Sequence, residues 1–353
     1  MRNPNHLLPI YLSLGLVCVL ISQTQAQTSS VLSSGEWYKI PVVEDGVYAL
    51  TSDYLSALGI DVSSLDPTDI SLHGYGGGML PQSLESQRFE DLPAMASQGV
   101  GLSDGSFDAN DRLLFYAQGP HQVSLVSGEN YYRHTLNLYS DTAFVFLGIG
   151  AGTNNPVRIY SPQVASTTTT LDWFPEVRWI EVEETNRDQS GREWYENPLE
   201  SGSGRTYSFS TPGFAAGAGP VHVRAGVMIH SYAEAPVSVA LNGSELGEIS
   251  TTPTTGGAYS LKGVDAEDVF SQTSTNLGAN TEVTLSFQSA SVSVSNAYPN
   301  YLTLTYPRQL QATSGEALAF TTTHFAGTPV EIALENATGY TVWDVTDPQT
   351  PQK

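Results

Sequence analysis

The chain has 353 residues, of which 14% are charged and 40% hydrophobic, with 32 Gly and 20 Pro. That composition excludes a helical bundle or coiled coil, and the hydrophobic share excludes general disorder. A net charge of −22, with lysine only at Lys39, Lys262 and Lys353, repels phosphate backbones, so nucleic acid is not an expected partner.

The N-terminus has the pattern of a secretory signal peptide over residues 1–26. Arg2 and His6 precede an apolar run from Leu7 to Ile21, and Thr24-Gln25-Ala26 ends on a small residue, so cleavage is expected after Ala26. The apolar run is short for a membrane span and no second run follows, so the mature chain is expected to be exported and to have no transmembrane segment. The single cysteine, Cys18, lies inside the signal, and Val17 before it argues against lipidation. The mature chain is then expected to hold no disulfide, no thiolate metal ligand and no cysteine nucleophile.

The segments Trp37-Tyr38-Lys39-Ile40 and Val47-Tyr48-Ala49-Leu50, joined through Glu44-Asp45-Gly46, predict a hairpin. A short helix follows, capped by Thr51 or Ser52, with Tyr54, Leu55 and Leu58 apolar and Gly59 ending it. Asp69-Ile70-Ser71-Leu72-His73 predicts a strand entering a glycine-rich turn at Gly74, Gly76, Gly77 and Gly78. Runs 112–117 and 143–147 predict buried strands, and 167–170 a surface segment near a domain boundary. In the second half, Val221, Val223, Ala225, Val227 and Ile229 alternate with His222, Arg224, Gly226, Met228 and His230, a strand with one face buried. Val237, Val239 and Leu241 alternate into Asn242-Gly243, a strong hairpin signal, and similar alternation recurs at 283–287 and 302–306. Many short strands with turns between them, and no long helix, predict a β-sandwich.

Four patterns bear on chemistry. Gly101-Leu102-Ser103-Asp104-Gly105 matches a nucleophile elbow, but no convincing strand precedes it and an acidic loop follows, which favours a turn. Asp104, Asp108, Asn110 and Asp111 crowd one loop and are candidate calcium ligands; the alternative is a turn whose side chains bond their own backbone. His222 and His230 share the polar face of one strand and are expected at the surface, too far apart for one metal. Trp173, Trp179, Trp194, Tyr195 and Tyr207 supply either a sugar-stacking platform or core aromatics.

Several phrases also resemble a known family. Ser34-Gly35-Glu36-Trp37-Tyr38-Lys39-Ile40 with Gly46-Val47-Tyr48, then Leu72-His73-Gly74-Tyr75-Gly76-Gly77-Gly78-Met79-Leu80-Pro81, are similar to stretches of the type IX secretion sortases (the PorU family of gingipain-type cysteine peptidases). So are residues 104–121, Asn137-Leu138-Tyr139-Ser140-Asp141 and Val342-Trp343-Asp344-Val345-Thr346-Asp347-Pro348, all in family order. The resemblance implies a mainly β chain: an N-terminal β-rich domain (27–165), a jelly-roll-like β-sandwich (172–348) and the start of a linker (349–353), with the caspase-like catalytic domain absent from this chain. Calcium at the acidic loop is the one candidate cofactor, and the resemblance carries no catalytic residue over to this chain. Location at the outer-membrane surface or periplasm follows from it, as do partners among outer-membrane secretion-system subunits and secreted cargo, whose C-terminal signal such enzymes remove before joining the cargo to lipopolysaccharide. Asp141-Thr142-Ala143 fits a short O-glycosylation pattern of the same bacterial group. A free-standing surface adhesin or carbohydrate-binding module is the rival expectation.

Overall fold

A computed structural model of the chain describes residues 29–150, 157–161, 167, 169–187, 189, 191–273, 276–291, 293–322 and 329–353. The signal-peptide expectation, with Cys18, lies outside the described residues, as does the domain limit at residue 165. In chain order the first unit comprises β1 (Glu36–Val42), β2 (Gly46–Thr51), α1 (Ser52–Ala57), β3 (Ile70–His73), β4 (Ala94–Met95), β5 (Ser97–Val100), β6 (Arg112–Ala117), β7 (Gln122–Leu125), β8 (Tyr132–Thr135) and β9 (Ala143–Ile149).

Two small antiparallel sheets, ordered β1-β9-β3-β4 and β2-β6-β5, share one core that includes Val42, Leu50, Leu55, Ile70, Leu113, Phe115 and Leu147. The expected β1–β2 hairpin does not form. β1 pairs with β9 and β2 with β6, so the turn between them carries the chain from one sheet to the other. What fixes that crossing is a loop contact: the Asp45 carboxylate accepts the Gly119 N–H at 2.7 Å. The predicted helix is present as α1; the Thr51 hydroxyl accepts the Tyr54 N–H at its start and Leu55 is fully buried. β7 and β8 pair only with each other.

The second unit comprises β10 (Thr170–Leu171), β11 (Trp173–Glu181), β12 (Leu199–Glu200), β13 (Ser203–Ser210), β14 (Val221–Ser231), β15 (Val237–Leu241), β16 (Ser244–Ile249), β17 (Val264–Gln272), β18 (Asn280–Phe287), β19 (Ser295–Gln309) and β20 (Glu331–Ile332). One sheet is ordered β11-β19-β14-β17, with β12 also on β19; the other is β13-β18-β15-β16. The alternating apolar residues Val223, Ala225, Leu302 and Leu304 of the first sheet meet Phe209, Val239, Val283, Leu285 and Phe287 of the second, the sandwich expected from the pattern. The β15–β16 turn is Asn242-Gly243, both at positive φ (48° and 80°), as that dipeptide predicts. β10 and β20 form a parallel pair beside a small cluster of Leu171, Phe174 and Leu310.

β14 departs from expectation. Its polar face is buried as well: His222, Arg224 and Met228 are all under 10% exposed, and only His230 is half-buried. The β7–β8 hairpin of the first unit lies over this face, and Tyr195 and Tyr298 pack on Met228. Period two reported the strand correctly; it had no information about a second layer.

The chain ends against the first unit. Asp344 pairs with Gln352, the Ala96 N–H donates to the Gln349 carbonyl at 2.7 Å, and the Lys353 N–H donates to the Tyr160 carbonyl at 2.9 Å.

Candidate functional site

The acidic loop follows β5, so a strand does precede Gly101, contrary to expectation. No helix follows it. Residues Leu102–Asp104 make a single 3-10 turn between two left-handed glycines, Gly101 and Gly105, and Ser103 is exposed. An elbow needs a strand and a helix to hold its serine, so the turn reading stands.

The structure brings the four candidate ligands into one loop. Asp104 accepts the Ser106 N–H at 3.1 Å and the Ser106 hydroxyl at 3.0 Å, bonds that hold its carboxyl below the usual range. The same hydroxyl lies 3.4 Å from Asp108. Asp111 is 8% exposed and accepts the Asp108 N–H at 2.7 Å, while Asp108 and Asn110 are exposed. These are the local side-chain-to-backbone bonds of turn-forming Asp residues. No group of three or more His, Cys, Asp or Glu side chains that could hold a metal ion occurs among the described residues.

The glycine-rich turn after β3 has a packing purpose. A Cβ on Gly77 would sit 1.5 Å from the Gly119 carbonyl oxygen, so two backbones meet here with no room for a side chain. Beyond it the loop folds around a cleft of about 480 Å³ lined by Tyr75, Met79, Leu80, Arg88, Phe89 and Asp91 among others. That volume is in the range of ligand clefts, roughly 300–1,000 Å³. At the cleft Asp91 accepts the Val31 N–H at 2.6 Å and the Ser30 hydroxyl at 3.0 Å, which ties the start of the described chain to the loop and lowers the Asp91 pKa. Leu84 stands on this loop 92% exposed.

A third cluster joins the two units. His134 of β8 is buried, with Nδ1 2.8 Å from the Thr303 hydroxyl and Nε2 2.6 Å from the Glu181 carboxylate. Its ring stacks on Trp179 at 4.8 Å and meets Tyr301 edge-on at 5.3 Å. The Tyr301 hydroxyl donates to Glu267, which also pairs with Arg224. Burial and the bond to Glu267 push the Tyr301 phenol upward. Sequence reasoning missed His134, because nothing in Tyr132-Arg133-His134-Thr135 says which surface that strand covers.

The five aromatics do not converge on one platform. Trp179 is stacked under His134, Tyr195 and Tyr207 are buried, and the Tyr207 hydroxyl donates to Glu196 at 2.5 Å. Trp194 is 36% exposed.

No protein-family description matches the chain, and no curated protein matches it in sequence. Among solved structures, the dimeric latent PorU of Porphyromonas gingivalis superposes with a TM-score of 0.70 at 24% identity, over 85% of this chain and 26% of that one. The fold is PorU-like. A CBM36-1 domain of a multidomain xylanase from the hindgut metagenome of Trinervitermes trinervoides aligns over 41% of this chain at a TM-score of 0.23 and 12% identity, too low to carry an argument. The chain spans about a quarter of the length of the PorU structure it matches. The match to the PorU fold joins the ordered phrases read from the sequence, and no helix among the described residues is long and apolar enough to cross a membrane.

Proposed function

We propose that this chain is the non-catalytic front part of a type IX secretion sortase, exported to the outer-membrane surface or periplasm, where it positions secreted cargo or secretion-system subunits for a catalytic domain. The observation that carries this reading is the PorU-like fold over 85% of the chain, in a protein whose family-like phrases run in family order. The chain alone is inactive in this reading, since its only cysteine lies in the expected signal peptide. The cleft at Tyr75–Leu92 and the exposed Leu84 are the surface offered to cargo or subunits. The adhesin reading loses the support of its aromatic platform, because Trp179, Tyr195 and Tyr207 are packed inside.

Two experiments test the proposal. Reading the gene past the codon for Lys353 is expected to show a Cys/His domain in the same or a neighbouring frame. Removing residues 27–353 in the source bacterium is expected to leave secreted cargo with its C-terminal signal attached. Cargo that is processed normally without these residues overturns the reading, and so does a natural stop with no such domain nearby.

A further inference from the structure

We infer that the hairpin of residues 122–135 is a latch, an element that holds the first unit to the sandwich and peels away from its tip while both cores stay folded.

Its backbone ladder is closed on itself: β7 and β8 pair with each other and with neither sheet of either unit. Neither large core cluster contains a hairpin residue, and Gln122, Val123 and Ser124 are exposed. Side chains therefore hold it, and a two-stranded hairpin without such support is marginal in water.

Those side chains are graded along its length. The base is fixed. The Asn137 N–H donates to His121 Nδ1 at 3.1 Å across the two arms, and the His121 ring meets Trp179 edge-on at 5.8 Å. Next comes His134, bonded to both Thr303 and Glu181 and stacked on Trp179. Toward the tip the seam holds a gap beside the buried Tyr132. Leu125, Asn130 and Tyr132 of the hairpin face His222 and Thr305 of the sandwich across a pocket of about 70 Å³, enough for water. His222 is 95% buried by its 5% exposure; its Nδ1 lies 2.8 Å from the Ser271 hydroxyl, and its Nε2 has no protein hydrogen-bond partner. The Tyr131 ring lies 6.0 Å from it. A seam with a packing gap and an orphaned nitrogen near its tip opens from the gap. Such local opening costs less than global unfolding when few apolar contacts and no shared ladder oppose it.

Amide hydrogen exchange on the whole chain tests the latch. In the unsubstituted protein, the Val126 and Glu129 amides near the tip are expected to exchange well before those of β9 and β14. His134→Ala should speed exchange across residues 122–135 about tenfold and leave β9 and β14 unchanged, because local opening reads the seam alone. His222→Phe, which fills the pocket and removes the orphaned nitrogen, should slow the Val126 amide. If His134→Ala does not fold, Glu181→Ala removes the acceptor of one of the same bonds and should give the same selective pattern at smaller size. Hairpin amides that exchange only together with β14, or a variant that speeds β14 equally, overturn the latch.

Discussion

The two units solve the same problem, two sheets around one core, by different means. The sandwich uses long strands, with 11 residues in β14 and 15 in β19, whose alternating side chains set the register. A one-residue slip would turn the core-facing side chains of each strand away from the opposite sheet, so the pattern favours one pairing. The first unit has strands of 2 to 7 residues, and its pairings are set by loops that meet closely: the Asp45 carboxylate on the Gly119 N–H, and the Gly77 backbone against the Gly119 carbonyl. One unit is specified by periodicity, the other by close approach. Substitutions should therefore damage them in different places.

The largest effect is expected in the sandwich core. Phe287 is 1% exposed between the sheets, so Phe287→Ala should cost about 3–5 kcal/mol by urea denaturation. The matching experiment in the first unit is at a turn. Gly77→Ala should cost about 3 kcal/mol, the upper end for forced overpacking, because its new methyl meets a carbonyl and no flexible side chain. Gly46→Ala, where a Cβ meets nothing within 4 Å, should stay within about 0.5 kcal/mol of the parent. If the two glycine variants behave alike, the loops do not specify the first unit and the contrast between the units is wrong.

The same contrast explains what was legible in the sequence. β14, β15, β18 and β19 were visible from alternation, and the β15–β16 turn from Asn242-Gly243, because those signals are local. α1 was visible from Thr51, Leu55 and Gly59 for the same reason. The partners of β1 and β2 were not, since the contact that sends them to different sheets joins Asp45 to a glycine 74 positions away. The burial of His222 and Arg224 was equally hidden, because the layer covering them comes from the other unit. The acidic loop was legible as chemistry, yet its hydrogen bonds lie within itself.

The helix cap is a smaller, purely local test. Thr51→Ala removes the acceptor for the Tyr54 N–H and should cost about 1 kcal/mol, confined to the first unit. pH probes the seam between the units. Burial lowers the His222 pKa from its ordinary 6.5, while Glu129 opposes the shift. The unfolded chain therefore binds a proton more readily than the folded one, so stability present at neutral pH declines as pH falls below 6.5. His222→Phe should flatten that decline in a series of melts from neutral to mildly acidic pH, whereas Thr51→Ala should shift every melt without changing its slope.

Calcium is expected to do least. Two of the candidates already use one carboxylate oxygen on a neighbouring N–H, Asp104 Oδ1 on Ser106 and Asp111 Oδ2 on Asp108, so a cation must share or compete for them. Asp111 is also buried beside Gly101, where a Cβ on that glycine would sit 1.7 Å from the Asp111 Oδ1, so a cation has little room on that side. A ligand that binds only the folded chain stabilises it by RT ln(1 + L/Kd), with L the free ligand concentration, so a loop closed on its own backbone should show no resolvable rise in melting temperature. A rise in calcium that disappears in Asp108→Ala would reverse this. It would show that the loop opens to take a cation, and that the first unit, unlike the sandwich, takes part of its stability from what it binds.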